Sequence, residues 1–171
     1  MSKNQIDQIY WSMNLRKKKS PEISRNEFLR TIPFFEHMTD RQLKTMAKHL
    51  HERRYEENEF LFEANHPGAA LFILLRGEVA VEKASDAGHV TQLAVIKSGE
   101  FLGELALVDQ CPRSASARAT RPTTAYALFR GDLNRLQETD PEIACEIYKT
   151  LACIVGERLK ATNRQVLRKA S

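Results

Sequence analysis

Residues 71–82 read LFILLRGEVAVE and indicate β-strands in the middle of the chain. The run after Gly77 alternates between polar and apolar residues, which is typical of a half-exposed strand. Outward from it, glycines fall at positions 68, 77, 88 and 99, with short apolar or alternating runs between them. Residues 85–88 read SDAG, a hairpin-turn pattern. Strands with turn signals about every 8–12 residues predict an all-β sandwich, barrel or roll.

Helical patterns precede the strands. We predict a helix over 24–31, with Ser24 as its N-cap and Glu27 completing a capping box. A second helix is predicted from Asp40, as its N-cap, to about Lys48.

A long helix follows the strands. Two more strand runs cover 114–119 and 124–129, and a short helix is predicted over 132–138. Asp140-Pro141 then opens a helix of about twenty-five residues. Its apolar stripe recurs every four residues, at Ile143, Ile147, Leu151, Val155 and Leu159. The predicted fold class is α+β: an eight-stranded antiparallel β-roll, jelly-roll-like, flanked by N-terminal helices and a long C-terminal helix.

Composition excludes several classes of protein. The chain has 171 residues, 42% hydrophobic and 28% charged, which suits one globular domain. No apolar run approaches the length of a membrane span, and the N-terminus lacks a secretory signal pattern. The chain has three cysteines and no CxxC pair, which argues against a disulfide framework. We therefore predict a cytoplasmic protein in a reducing compartment.

The net charge of +4 is unevenly distributed. Residues 1–30 carry +4 and residues 158–171 carry +5, whereas residues 31–157 carry −5. Nucleic-acid binders usually cluster Lys and Arg on a folded face. Here the excess lies in the tail Arg16-Lys17-Lys18-Lys19 and at the end of a predicted helix, so no DNA binding is expected. Linker chemistry and contact with an acidic partner or membrane surface both stay open for this basic cluster.

The segment 101–117, FLGELALVDQCPRSASA, carries the chemistry. Gly103 allows a turn, and the N–H groups of the helical turn that follows can face an anion. The fork of Arg113 suits two oxygens of one phosphate, and Ser114 and the Ala115 N–H add donors. A carboxylate at Glu104 would repel a phosphate unless the ligand is a monoanion with a neighbouring hydroxyl. This combination favours a cyclic ribonucleotide over a triphosphate, whose usual GxxxxGK[ST] loop is absent.

This segment resembles the phosphate-binding cassette of cyclic-nucleotide-binding domains. That family includes the kinase A regulatory subunit, the bacterial catabolite activator protein and cyclic-nucleotide-gated channels. Residues 72–79 and 28–35 are similar to the family's strand–Gly–strand and N-terminal helical motifs, and the resemblance covers about residues 25–165. The cassette positions that fit the family pattern are Phe101, Gly103, Glu104, Leu105, Ala106, Leu107, Pro112, Arg113, Ser114 and Ala115.

The resemblance implies a role for each site residue. Glu104 should hold the ribose 2′-OH and Arg113 the cyclic phosphate, and the family's long C-terminal helix caps the base. Within this resemblance, serine at position 114 favours cAMP as the ligand, with cGMP as the alternative. The implied ligand-binding residues are Gly103, Glu104, Leu105, Arg113, Ser114, Ala115, Thr162 and Asn163, of which the last two would meet the base.

The resemblance also implies a non-enzymatic receptor with no cofactor, which signals by repositioning its C-terminal helix to an unidentified protein effector. Leu102, Leu105 and Leu107 are candidates for coupling the cassette to that helix. A homodimer through the helix stays open. The predicted parts are a helix and basic linker over 1–24 and the binding domain over 25–171, with helices at 25–49, the roll at 50–130 and C-terminal helices at 131–168. No output domain follows, so a stand-alone module and a fragment are both open.

Two alternatives compete with a receptor. The roll could be a scaffold in which Glu104 and Arg113 form only a structural ion pair. A cupin-like metal enzyme is the other, because His49 and His51 would face one side of a strand, with Glu56 and either His66 or His89 as further ligands.

Overall fold

The computed structural model describes residues 24–85 and 88–170. The predicted first helix and the basic linker lie outside the described residues. The helices are α1 (Arg25–Arg30), α2 (Asp40–Met46), α3 (Arg130–Thr139) and α4 (Pro141–Ala170). The strands are β1 (Leu50–Tyr55), β2 (Phe60–Phe62), β3 (Ala70–Ala84), β4 (Val90–Lys97), β5 (Phe101–Leu102) and β6 (Ser116–Phe129). Single 3₁₀ turns cover Pro33–Phe35, Ala47–His49 and Glu104–Leu107.

The two N-terminal helices begin at capping boxes. Ser24 and Glu27 form the predicted box at α1. The prediction that Asp40 caps α2 is wrong: Thr39 is the N-cap and Gln42 closes the box. A threonine hydroxyl and a glutamine three residues later satisfy both free N–H groups of this helix end, so Asp40 is left as the first helical residue.

The strands form one antiparallel sheet. Its order is β1-β6-β3-β4, with β2 on β6 and β5 on β3. β3 and β6 pair along nearly their whole length, from Ala70 opposite Phe129 to Glu82 opposite Ser116. Their register shifts three times between Leu74 and Val79, and such bulges bend a sheet without ending its pairing.

The bulges explain the difference in strand number. The α+β fold with an antiparallel sheet is confirmed, but the sheet has six strands rather than the predicted eight. The runs 71–75 and 79–81 belong to one strand, β3, and the run 124–129 belongs to β6 together with residues 116–119 of the run 114–119. Interruptions in an apolar pattern therefore marked bends inside two long strands, and dividing each strand at its bend restores the expected number.

Alternate residues of β3 enter two hydrophobic clusters. Leu71 and Ile73 pack with the helices, whereas Phe72 and Leu74 face the interior of the roll. A strand that is buried on both faces reads as a continuous apolar run. The interior cluster draws four alanines from β6, namely Ala117, Ala119, Ala125 and Ala127.

The C-terminal helices complete the helical cluster. Leu133 and Leu136 of α3 pack there with Ile147 and Leu151 of α4. Farther along α4 the stripe is exposed, at Val155 and Leu159. No helix among the described residues is both long and apolar enough to cross a membrane.

Candidate ligand-binding site

A cavity of about 510 Å³ opens between the cassette segment (residues 101–117) and the sheet. This volume falls in the range of small-molecule sites, roughly 300–1,000 Å³. One wall is apolar and comes from β3, β4 and β5. Its residues are Val81, Ala94, Ile96 and Leu102. The other wall is the polar cassette.

The cassette turn is built on Gly103. This residue has φ +77° and precedes the 3₁₀ turn Glu104–Leu107. A Cβ at Gly103 would lie 2.5 Å from Nη1 of Arg113 and 3.3 Å from the carbonyl oxygen of Ala70. Both the backbone conformation and the close guanidinium therefore require glycine here.

Arg113 lies under this turn and is only 8% exposed. Its Nη1 donates to the carbonyl oxygen of Gly103 at 3.0 Å, and its Nη2 donates to that of Ala70 at 2.6 Å. Its Cζ lies 4.0 Å from the ring centroid of Phe62, which lines the same cavity. These contacts fix the plane of the guanidinium.

One nitrogen of Arg113, Nε, has no hydrogen-bond partner among the described residues. This nitrogen is also buried. Burial lowers the pKa of Arg113, the carboxylates of Glu104 and Asp109 raise it, and the charge of Arg130 lowers it further. A buried cation with an unused N–H is a costly arrangement, and an anion in the cavity would offset that cost.

Glu104 is the second buried charge at the cavity. It is 2% exposed, and its Oε1 accepts a hydrogen bond from Nη1 of Arg158 on α4. The side chain of Arg158 is itself more than half exposed. A carboxylate has two oxygens and about four acceptor directions, so this bond does not exhaust Glu104.

The structure brings together most of the residues predicted to bind ligand. Six of them line this one cavity: Gly103, Glu104, Leu105, Arg113, Ser114 and Ala115. From α4 the lining residue is Arg158, one helical turn before the predicted base contacts Thr162 and Asn163. Asn163 is exposed, and the side chain of Thr162 lies outside the described residues. Their contact with the base stays a prediction.

The coupling candidates divide among three environments. Leu107 packs in the cluster that contains the helices, and Leu102 packs in the interior of the roll. Leu105 is 44% exposed at the cavity. Leu107 is therefore the one of the three with direct packing against the helical cluster.

Sequence reasoning missed Phe62 and Arg158. Phe62 lies about fifty residues from its partner in the chain, and no local pattern links the two. For Arg158, no local pattern showed which residue of α4 would line the cavity.

The two histidines His49 and His51 lie beside a carboxylate in this structure. His51 Nε2 lies 2.9 Å from Oδ2 of Asp132, and His49 Nδ1 lies 3.9 Å from Oδ1. Both imidazoles thus face one carboxylate at the start of α3. Across the described ranges, no group of three or more His, Cys, Asp and Glu side chains has an arrangement that could hold a metal ion.

Known proteins resemble this chain in sequence and in fold. The family profile described as cyclic nucleotide-binding domain matches residues 52–140, just over half of the chain. The cyclic AMP receptor protein of Thermus thermophilus is 28% identical over 78% of this chain and 60% of its own length. A cAMP-dependent protein kinase regulatory subunit of Hypocrea atroviridis is 28% identical over 64% of this chain and 22% of its own. The chain thus spans less than two thirds of these curated relatives.

Among solved structures, the N-terminal domain of a transcriptional regulator from Streptomyces coelicolor superimposes with a TM-score of 0.70. It is 30% identical and the match covers 81% of this chain and 94% of that one. The profile match, the sequence relatives and the shared fold agree with the cavity that Arg113 and Glu104 line. The chain belongs to the cyclic nucleotide-binding domain family.

Proposed function

We propose that this chain is a receptor for a cyclic ribonucleotide, with cAMP as the preferred ligand and no catalytic step. The observation that carries the proposal is the buried guanidinium of Arg113, whose Nε makes no hydrogen bond with any described residue, beside the buried carboxylate of Glu104. One fixed cation and one fixed acceptor match one phosphodiester charge and one neighbouring hydroxyl.

The phosphate would bind at Arg113. The two backbone carbonyls that accept from Arg113 hold its fork in place but use only two of its five N–H groups. The remaining donors, with backbone N–H groups at Gly103 and Ala115, can surround the equatorial oxygens. Because the fork is already positioned, binding requires little ordering of this side chain.

The ribose would bind at Glu104. A carboxylate inside a cavity favours a ligand whose hydroxyl donates to it. A deoxy analogue lacks that hydroxyl, so the carboxylate would lose this hydrogen bond. The apolar wall opposite it, with Val81 and Ile96, can cover the sugar and the base. Ser114 is exposed at the cavity edge, where its hydroxyl adds a donor to the phosphate or base. Two of the relatives, a cyclic AMP receptor protein and a cAMP-dependent kinase regulatory subunit, favour cAMP over cGMP as the ligand proposed here.

The signal would leave through α4. Arg158 of this helix donates a hydrogen bond to the carboxylate of Glu104. The ligand's 2′-OH would donate to the same carboxylate. Occupancy of the site therefore changes the free energy of the Arg158 contact, and with it the preferred position of the helix. Such coupling works only if the two helix positions bind the ligand with different affinity.

Thermal shift with a panel of nucleotides tests the proposal. At about a hundred times Kd, cAMP should raise stability by about 2.7 kcal/mol, roughly 5–10 °C for a domain of this size. cGMP and 2′-deoxy-cAMP should give smaller shifts, and AMP smaller still. No shift with any cyclic nucleotide at millimolar concentration would favour the non-binding scaffold instead.

Cysteine alkylation locates the binding event. Cys111 is exposed and lines the cavity, whereas Cys145 and Cys153 are exposed on α4 outside it. Saturating cAMP should slow alkylation of Cys111 and leave Cys145 unchanged. Equal rates at Cys111 with and without ligand would place binding elsewhere.

A further inference from the structure

Cys111 places a thiol in the wall of the candidate ligand-binding cavity. It is exposed and lines this cavity together with Arg113. It lies in the connection 108–115, between the 3₁₀ turn of the cassette and β6. The other two cysteines, Cys145 and Cys153, are also exposed but lie on α4 and do not line this cavity. All three thiols are therefore accessible, whereas the cavity is particular to Cys111.

Backbone hydrogen bonds hold the chain next to Cys111. The N–H of Arg113 donates to the carbonyl oxygen of His66 at 2.9 Å, and the carbonyl oxygen of Arg113 accepts from the N–H of Asn65 at 2.8 Å. Residues two apart in a chain have Cα atoms at most about 7 Å from each other. The thiol therefore stays close to the guanidinium of Arg113, at the same cavity.

Arg113 provides a binding point for an anion beside this thiol. It is 8% exposed, and its Nε makes no hydrogen bond with any described residue. Of the other charged side chains that line the cavity, Glu104 and Arg158 pair with each other. Asp109 also lines it but is only half-buried, so solvent screens its charge more than that of Arg113. A small molecule with both a carboxylate and a disulfide can thus bind Arg113 while its sulfurs meet Cys111.

We propose that Cys111 is a modification site, at which an anionic low-molecular-weight disulfide forms a mixed disulfide inside the cavity. The thiolate of Cys111 attacks one sulfur of the reagent, the S–S bond of the reagent breaks, and a new S–S bond joins that sulfur to Cys111. The other half of the reagent leaves as a thiolate and takes up the proton that Cys111 lost. The sulfur of Cys111 is thereby oxidised and the leaving sulfur is reduced, and excess thiol reverses the exchange.

The adduct and a nucleotide would compete for the same space. The cavity measures about 510 Å³, and the carboxylate of the adduct would take the position at Arg113 that we propose for the phosphate. This consequence rests on the proposed function, because it needs a nucleotide to exclude. Modification of Cys111 would then close the receptor under oxidising conditions, and excess thiol would reopen it.

Peptide mass spectrometry of the full chain measures which cysteine reacts. The probes are oxidised glutathione, which carries carboxylates, and 2-hydroxyethyl disulfide, which is neutral. Oxidised glutathione should modify Cys111 at least about fivefold faster than Cys145, because the anion is drawn to Arg113, and saturating cAMP should slow the reaction. The neutral disulfide should show no such preference. Equal rates at the two cysteines with oxidised glutathione would overturn the proposal.

A single-cysteine protein tests whether the adduct closes the cavity. The double variant Cys145→Ser and Cys153→Ser keeps Cys111 as its one thiol. After treatment with oxidised glutathione, its Kd for cAMP in calorimetric titration should rise by about tenfold or more, and dithiothreitol should restore it. Cys111→Ser is the matched control, whose Kd should be the same before and after treatment. The proposal is wrong if the double variant carries the adduct and still binds cAMP within about threefold of its untreated form.

The two proposals fail in different ways. If the untreated parent binds no cyclic nucleotide, the proposed function fails, and closure of the receptor fails with it. If the untreated parent binds cAMP but oxidised glutathione does not prefer Cys111, or the adduct does not weaken binding, this inference alone fails. Preferred modification of Cys111 with a reversible loss of cAMP binding supports it.

Discussion

Replacing Arg113 by alanine should damage both binding and stability, for separable reasons. In the unliganded fold, the change leaves the carbonyls of Ala70 and Gly103 without their donor and removes the contact with Phe62. At about 1–3 kcal/mol for each buried carbonyl and about 1 kcal/mol for the ring contact, we expect the free energy of unfolding to fall by about 3 kcal/mol or more. In the complex, the phosphate would face no cation, which costs about 3–5 kcal/mol. Kd should therefore rise by between about a hundredfold and several thousandfold.

Circular dichroism melts measure the stability and the folded fraction of each variant. Calorimetric titration of that folded fraction with cAMP then measures the loss of affinity separately from the loss of stability. Arg113→Lys keeps the charge without the planar fork and should fall between the alanine variant and the parent. Arg121→Ala is the matched control, because Arg121 of β6 is exposed, makes an ion pair with Glu78 and does not line the cavity. That change should move stability and affinity by less than about 0.5 kcal/mol. A folded Arg113→Ala protein that binds cAMP within about threefold of the parent would refute the placement of the phosphate.

Other predictions concern the ribose, the guanidinium and alkaline stability. Glu104→Ala should bring the Kd values of cAMP and 2′-deoxy-cAMP together; a parent-like preference for cAMP would assign the 2′-OH to another residue. Phe62→Leu removes the ring beside Arg113 and should weaken cAMP binding about three- to tenfold by calorimetry, whereas an unchanged Kd would leave Phe62 as a wall residue only. Burial raises the pKa of the Tyr55 phenol above its ordinary value of 10.0, with Arg53 opposing and Glu59 adding to the rise. The folded chain then holds that proton more tightly than the unfolded chain, so this contribution is complete below pH 10.0 and is lost as the pH rises through the folded-state pKa. Tyr55→Phe should flatten the fall in denaturant-measured stability above that pH, and an unchanged slope would contradict this assignment.

Local sequence patterns predicted where helices and strands occur better than they predicted whether neighbouring runs form one continuous strand. The capping box at Ser24 and the helix start at Pro141 depend on neighbouring residues, and both are found as expected. The number of strands depends on whether β3 and β6 keep pairing through their bulges. That pairing joins residues from 34 positions apart (Glu82 and Ser116) to 59 positions apart (Ala70 and Phe129), so no single run of sequence reveals it.

The candidate site divides in the same way. The cassette is contiguous in sequence, and the chemistry of Gly103, Glu104 and Arg113 could be read from their residue types and spacing. Phe62 and Arg130 reach the site through the sheet and through the first turn of α3, which only the folded chain brings near. Arg158 lines the cavity because of how α4 packs in the fold, which no local run of sequence reveals.

The central claim is that a cyclic ribonucleotide lies between Arg113 and Glu104. A crystal structure of the chain grown with saturating cAMP measures this directly. We expect phosphate oxygens within hydrogen-bond distance of the Arg113 guanidinium, and the 2′-OH within hydrogen-bond distance of the Glu104 carboxylate. An empty cavity under those conditions, or cAMP bound at any other surface, would contradict it.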